Sequence, residues 1–432
     1  PPTAPAFAHP MDYAGESARD KTTRLAHDLE QSGQRAAILT LPDSICWLLN
    51  IRGADIPRNP VVQGFAILHD TGHVQLFSDP AKFTDLSFDT AVDIHHWDAF
   101  EPGLADLDGP VRLDPNSAPY ALKMRLQDKA IYGDDPCVLP KARKNPVEIA
   151  GARAAHIRDG AAMCTFLAWL DAADPSTLTE IDVVTQLETC RQATGALKDI
   201  SFDTICGSGP HGAIVHYRVT HDSNRPLDTN SLLLIDSGGQ YDDGTTDITR
   251  TLALGTPSDD MKQAFTRVLR GMIAISMAQF PTGVTGRDLD ALARMPLWQA
   301  GMDYDHGTGH GVGSYLCVHE GPQRLSRTSN VALEPGMILS NEPGYYREGA
   351  FGIRLENLIV VEPAPKGPDE RGMLRFETLT YVPIDTRLVV VDRMTADEKH
   401  WLNTYHAHVF EKLSPHVSGS VRKWLERAVT PI

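Results

Sequence analysis

The sequence has no cluster of Lys and Arg, no closely spaced cysteine pair and no long apolar run, and each absence narrows what the chain does. Its 40 basic residues are outnumbered by 56 acidic ones, for a net charge of −16. Without a basic patch, neither a nucleic acid nor an anionic membrane is expected as a partner. Six cysteines (Cys46, Cys137, Cys164, Cys190, Cys206 and Cys317) are scattered without CxxC spacing. That pattern fits reduced thiols better than a disulfide framework, so a cytoplasmic location is the expectation. No stretch approaches the ~18 apolar residues of a membrane span, and no signal-peptide pattern opens the sequence. Residues 1–12 are rich in proline and read as a linker remnant, and the first residue is Pro1, so something is expected to precede it in the natural protein.

What is present suits a globular protein. At 432 residues, with 22% charged and 42% hydrophobic, there is room for two domains. Residues 13–140 alternate between helical and strand patterns and read as an α/β domain. Residues 17–34 form an amphipathic pattern with Leu25 and Leu29 inward, 36–41 a buried strand and 43–49 a short helix. Residues 65–69 and 74–77 read as strands paired around the turn at Asp70 to His73. No catalytic constellation is apparent there. His95 and His96 are adjacent, face opposite ways on a strand and read as structural or surface groups.

Residues 141–432 read as α+β, a curved antiparallel sheet with helices packed on one side. Asn145 as N-cap, Pro146 at N1 and Glu148 at N3 open the first helix. Residues 181–194 and 261–280 carry two more helical patterns. Strands are expected at 212–217, 337–340, 353–361 and 379–391. A capping box of Thr395 and Glu398 opens a helix over 395–413, and a shorter one starts near Val421.

The most informative stretch is LLLIDSGGQYDDGTTDITRT, residues 232–251. Two β-rich runs joined by a Gly/Asp turn predict a hairpin. A turn centred on Tyr241 and Asp242 would set Asp236 opposite Asp247. Two carboxylates facing one another repel unless one is protonated or a cation lies between them. Further along come HGTGHGVGSYLCVHEGP (306–322) and NEPGYYREGAFGIRLEN (341–357), which place His310, Glu342 at a strand end and Glu356 within an apolar strand beside Arg354. Asp and Glu are rarely buried unless paired or bound to metal.

Asp236, Asp247, His310, Glu342 and Glu356 together form a coherent ligand set. Four carboxylates and one imidazole suit Mn²⁺, with Co²⁺, Fe²⁺ or Zn²⁺ as alternatives. The charge of four carboxylates balances two divalent ions, which could share a hydroxide for attack on an amide. No Walker-type phosphate loop and no HExxH motif is present.

These motifs, with WLLNIRGADIPRNP (47–60) and FETLTYVPI (376–384), resemble the metal-dependent aminopeptidase P / prolidase / creatinase family with the pita-bread catalytic fold. Within it they are most similar to the large cytosolic-type Xaa-Pro aminopeptidases. The resemblance implies a creatinase-N-like α/β domain followed by a pita-bread catalytic domain with a C-terminal helical extension. It implies that the five residues above are metal ligands. His216 and His319 match the two histidines flanking the scissile amide, His306 the one near the prolyl pocket, and Arg354 the arginine beside the last glutamate. It implies release of an N-terminal residue that precedes proline, with Glu342 as general base and the substrate amine on a metal, and a homodimer built through the catalytic domain. His211 stands where the family has Asn. Family members of this type carry a further N-terminal domain, so the sequence is expected to be a fragment or processed form.

The rival readings are a prolidase acting only on Xaa-Pro dipeptides and a non-catalytic pita-bread interaction module. A prolidase must grip the carboxylate of proline. Arg354 is expected beside Glu356 and Arg347 beside Glu348, so no basic residue is apparent for that task.

Overall fold

The computed structural model describes residues 1–432 and divides into two compact units. One comprises Pro1–Ile149 with Ser314–Cys317, and the other Ala150–Gly313 with Val318–Ile432.

The first unit is built on a six-stranded mixed sheet. Ala36–Leu39 is central, antiparallel to Phe65–His69 and parallel to Val111–Leu113. The helix Ala18–Gln31 starts where Ser17 accepts a hydrogen bond from the Asp20 amide, and it buries Leu25 and Leu29. Phe65–His69 and Val74–Phe77 pair as expected around their four-residue turn. The proline-rich start is more ordered than its composition suggests. Phe7–Ala8 pairs with Ile51–Arg52, and Met11–Ala14 forms a helical turn. His95 stacks on Phe77, while His96 caps the short turn Trp97–Ala99.

The second unit is entirely antiparallel in its sheets, one of six strands, two of three and one of two. The long helix Pro146–Ala172 is capped as the sequence predicts. Asn145 Oδ1 accepts from the amides of Val147 and Glu148, and Glu148 Oε2 accepts from the Asn145 amide. The helix Asp259–Ser276 buries Phe265, Val268, Leu269 and Met272, each worth about 1.5–3 kcal/mol of apolar burial. The capping box at Thr395 and Glu398 also forms.

Several expectations fail for local reasons. The hairpin register differs by two residues. Asp236 pairs with Thr249, and the turn lies at Asp242 and Asp243. Because side chains alternate with a period of two, a two-residue shift keeps Asp247 on the same face as Asp236, now as a diagonal neighbour. Residues 353–361 are not one strand. Phe351–Arg354 ends before Leu355 and Glu356, and Asn357–Ala364 begins in another sheet. Arg354 and Glu356 therefore do not meet through strand alternation.

Residues 212–217 are not a strand either. A 3₁₀ turn, Gly209–Ala213, is held by side chains instead of a sheet neighbour. The strand expected at 379–391 lies earlier, at Met373–Thr378, and Thr386–Leu388 is a 3₁₀ turn. The helix Gly286–Trp298 is absent from the expected elements. Its capping box of Thr285 and Asp288 is a legible signal that Pro296 inside the helix obscures.

Arg250 ties this unit together around the Glu356 segment. Fully buried, it donates to the carbonyls of Glu356, Val382 and Pro383 and to Tyr405 Oη.

Candidate functional site

A cavity of about 650 Å³ opens in the second unit, and every candidate metal ligand and catalytic residue expected from the sequence lines it. Asp236 enters from the end of Leu232–Ser237, and Asp247 stands just before Ile248–Ala253. Gly238 sits at the bend beside them, and a side chain there would strike the Thr246 carbonyl. His310 is central in Gly309–Gly311, Glu342 follows Ile338–Asn341, and Glu356 occupies the break after Phe351–Arg354.

Metal-ligand atoms of Asp247, His310 and Glu356 all lie within 4.8 Å of one another. His310 Nε2 is 3.4 Å from Asp247 Oδ2 and 3.5 Å from Glu342 Oε1. Its Nδ1 contacts the Gly311 carbonyl at 2.9 Å. A carbonyl only accepts, so Nδ1 carries the proton and the Nε2 lone pair faces the carboxylates. That is the tautomer a metal requires.

The carboxylates are held by residues that carry no signal in the sequence pattern. Thr249 Oγ1 donates to Glu356 Oε2 at 2.8 Å and receives Arg354 Nε at 3.2 Å. Ser340 Oγ donates to Glu342 Oε1 and accepts from the His310 amide. Arg354 donates to Asp236 Oδ2 at 2.7 Å. One oxygen on each of Asp236, Asp247 and Glu356 is buried with no hydrogen-bond partner. Buried carboxylate oxygens are costly to leave alone, and three on residues lining one cavity fit cations as their partners.

Electrostatics repeat the point. Burial, then repulsion from Asp236 and Glu342, pushes the Asp247 carboxyl well above its ordinary range. Burial followed by Asp247 does the same to Glu356, and burial raises Glu342. One guanidinium does not neutralise four carboxylates. The donor set fits divalent metal.

Around this cluster stand the histidines. His319 packs edge-on to His310, with centroids 4.3 Å apart. Burial first, then His310, lowers His319 to about 4. His306 is also lowered to about 4, by burial and then Arg354. Its Nδ1 donates to the Gly307 carbonyl, so Nε2 accepts from Tyr346 Oη, which in turn receives Arg354. Tyr346 is a further residue missed from the sequence, although it lies in the GYY motif. His216 lines the cavity from the exposed segment after the 3₁₀ turn. Arg347, next to Glu348 in the sequence, is paired with Asp260.

The helix missed from the sequence braces the His306 loop. Asp290 and Arg294 form a buried pair, and Arg294 donates to the carbonyls of Tyr304 and His306. Thr308 donates to Asp290, and its carbonyl accepts from the Glu342 amide at 2.7 Å.

Comparison with known proteins places the chain. Residues 150–363 match the model of metallopeptidase family M24, residues 1–148 that of the creatinase/prolidase N-terminal domain, and residues 372–432 that of the C-terminal region of peptidase M24. Aminopeptidase P1 of Arabidopsis thaliana is 38% identical over 99% of this chain and 76% of its own. The chain belongs to metallopeptidase family M24. A second M24 relative, a probable Xaa-Pro aminopeptidase P of Laccaria bicolor, is 40% identical over 98% of this chain and 68% of its own. Among solved structures, the X-prolyl aminopeptidase of Caenorhabditis elegans, described as a cytosolic enzyme with a di-nuclear active site, superposes with a TM-score of 0.94. It is 33% identical and covers 100% of this chain and 74% of its own. No helix of the M24 chain is long and apolar enough to cross a membrane.

Proposed function

We propose that the chain is an Xaa-Pro aminopeptidase, hydrolysing the bond between an N-terminal residue and a following proline at a two-metal site. The observation that carries this reading is the convergence of four carboxylates and the His310 imidazole on one cavity, with three buried oxygens lacking partners. The likeness to aminopeptidases P over nearly the whole chain supports it over a prolidase.

Asp236, Asp247, His310, Glu342 and Glu356 would hold the ions. An oxygen-rich set with one nitrogen favours Mn²⁺. Bound there, two divalent ions would supply Lewis acidity and a water acidic enough to attack at neutral pH.

The chain's own groups do the rest. Glu342, on the cavity wall beside His310, accepts the proton of the attacking water. His319 is neutral at pH 7, and with His216 it offers N–H donors to the developing oxyanion. Arg354 fixes Asp236 through one nitrogen and, through Tyr346, orients His306 at the proline side. Proline leaves the scissile amide without an N–H, so recognition has to come from groups such as these. The peptide's ammonium belongs beside the surplus carboxylates.

Acetylating the amino terminus of an Xaa-Pro-Xaa tripeptide should therefore abolish cleavage in an amino-acid release assay with Mn²⁺ present. Hydrolysis of the acetylated peptide at the parent rate would overturn the aminopeptidase reading. We further infer a cytoplasmic homodimer formed through the catalytic unit, for which a single-chain mass by light scattering would be the contrary result.

A further inference from the structure

Beside Asp203, Arg218 and Glu320, the cavity wall carries a guanidinium without a partner for which the proposed reaction has no use. Three guanidiniums line it: Arg218, Arg324 and Arg354. Arg354 is engaged with Asp236, and Arg218 pairs with Asp203 at 2.9 Å. Arg324 makes no ion pair and no side-chain hydrogen bond, and its side chain is exposed. A guanidinium on an edge strand is ordinarily a solvated surface group. This one is placed otherwise.

Arg324 lies on Glu320–Leu325, antiparallel to Gly309–Gly311, and its direct cross-strand partner is His310. Directly opposite residues in an antiparallel pair project on the same face of the sheet. The face that sends His310 into the cluster therefore sends Arg324 into the same cavity. Its neighbours Gln323 and Leu325 are buried on the other face, as alternation requires.

This arrangement gives the cavity a charge polarity. Carboxylates gather at the cluster, and one unpaired cation stands to the side of it. A peptide zwitterion has the matching polarity, and only one orientation avoids setting its ammonium against a guanidinium. We propose that Arg324 is the subsite for the substrate's carboxyl end, so that the chain favours short Xaa-Pro peptides whose free carboxylate lies on the proline or on the next residue. It departs from the expectation that no basic residue is placed to grip a carboxylate. It rests on the peptidase reading, and it does not make the chain a strict dipeptidase, because an exposed side chain as long as arginine can follow the carboxylate outward.

The test compares matched acids and C-terminal amides of Xaa-Pro and Xaa-Pro-Xaa peptides, by turnover and by calorimetric binding to the metal-loaded protein. The wild-type chain should bind the acids more tightly, and KM should rise by about 10- to 100-fold for the amides, the range for a hydrogen bond to a charged group. Arg324→Gln should erase that difference, Arg324→Lys should keep part of it, and added salt should shrink it in the wild type. Equal handling of acids and amides by the wild type, or a preference that survives in Arg324→Gln, overturns the subsite. If acids bind preferentially but no Xaa-Pro bond is cut, the peptidase reading falls and the subsite stands. If Xaa-Pro bonds are cut without any preference for acids, the subsite falls and the peptidase reading stands.

Discussion

Both units bury charge, but they neutralise it differently. In the first unit Lys82 meets Asp55 at 2.6 Å with both side chains almost wholly buried, and Lys141 meets Asp43 at 2.8 Å. Each of these buried acids has its own ammonium. In the cavity of the second unit Asp236, Asp247, Glu342 and Glu356 instead share one guanidinium and one imidazole. A one-to-one pair is a structural device. A surplus of one sign, held in place by Thr249, Ser340 and Arg354, is a site prepared for a counter-charge that the chain does not supply.

The strongest test of that contrast is to remove one charge from each kind of cluster. Asp247→Asn should lower activity by at least about 10³-fold, more than the loss of a single transition-state donor, and elemental analysis should find fewer than two ions per chain. The metal-free variant should nonetheless be more stable than the metal-free parent, because the substitution removes repulsion. Lys82→Met should do the opposite. It leaves Asp55 buried without its ammonium, at about 3–5 kcal/mol, with metal content unchanged. If Asp247→Asn kept two ions and normal turnover, the surplus would not be a metal site.

His319→Ala comes next in size. The ring touches His310 without belonging to the carboxylate cluster, so the variant should keep its metal. Its kcat should fall by roughly 10²–10³, as for the loss of one oxyanion donor. A rise in KM at constant kcat would make His319 a binding group instead.

The contrast also explains what is legible in the sequence. Asp236, Asp247, His310, Glu342 and Glu356 stand out because charge in apolar or glycine-rich surroundings violates local expectation. Their convergence survives a wrong register, since a two-residue slip preserves the face. Thr249, Ser340 and Tyr346 are invisible because hydroxyls in strands are ordinary. Glu356 reads as a strand interior because the apolar run around it is continuous, although the backbone changes sheets at that point. Arg324 escapes notice because an arginine outside a charge cluster carries no signal until the pairing places it opposite His310.

The smallest expected effect is also the most direct reading of the surplus charge. Asp247, Glu342 and Glu356 have raised affinities for protons in the folded chain, through burial and mutual repulsion. Above about pH 4, where unfolded carboxylates ionise, the folded metal-free chain thus holds protons that the unfolded chain has released. Their stabilising contribution is complete below that pH and is lost as pH rises through the raised values. His306 and His319 act in the other sense. Their folded values of about 4 lie below the ordinary 6.5, so their contribution is present above pH 6.5 and lost as pH falls toward 4. The two senses are separated by Asp247→Asn, which removes one raised carboxyl and leaves both histidines in place. From about pH 4 upward, the Tm of chelator-treated wild-type protein should fall with rising pH relative to that of this variant. Saturating Mn²⁺ should remove most of that slope, so the gap between loaded and stripped protein widens with pH. Asp247→Asn should flatten the stripped curve, and Lys82→Met should shift it down and steepen it, because Asp55 without its ammonium then holds a proton in the folded chain that the unfolded chain releases. A stripped wild-type curve that runs parallel to that of Asp247→Asn would mean that the four carboxylates tolerate one another without a cation, and the distinction between the two kinds of buried charge would be lost.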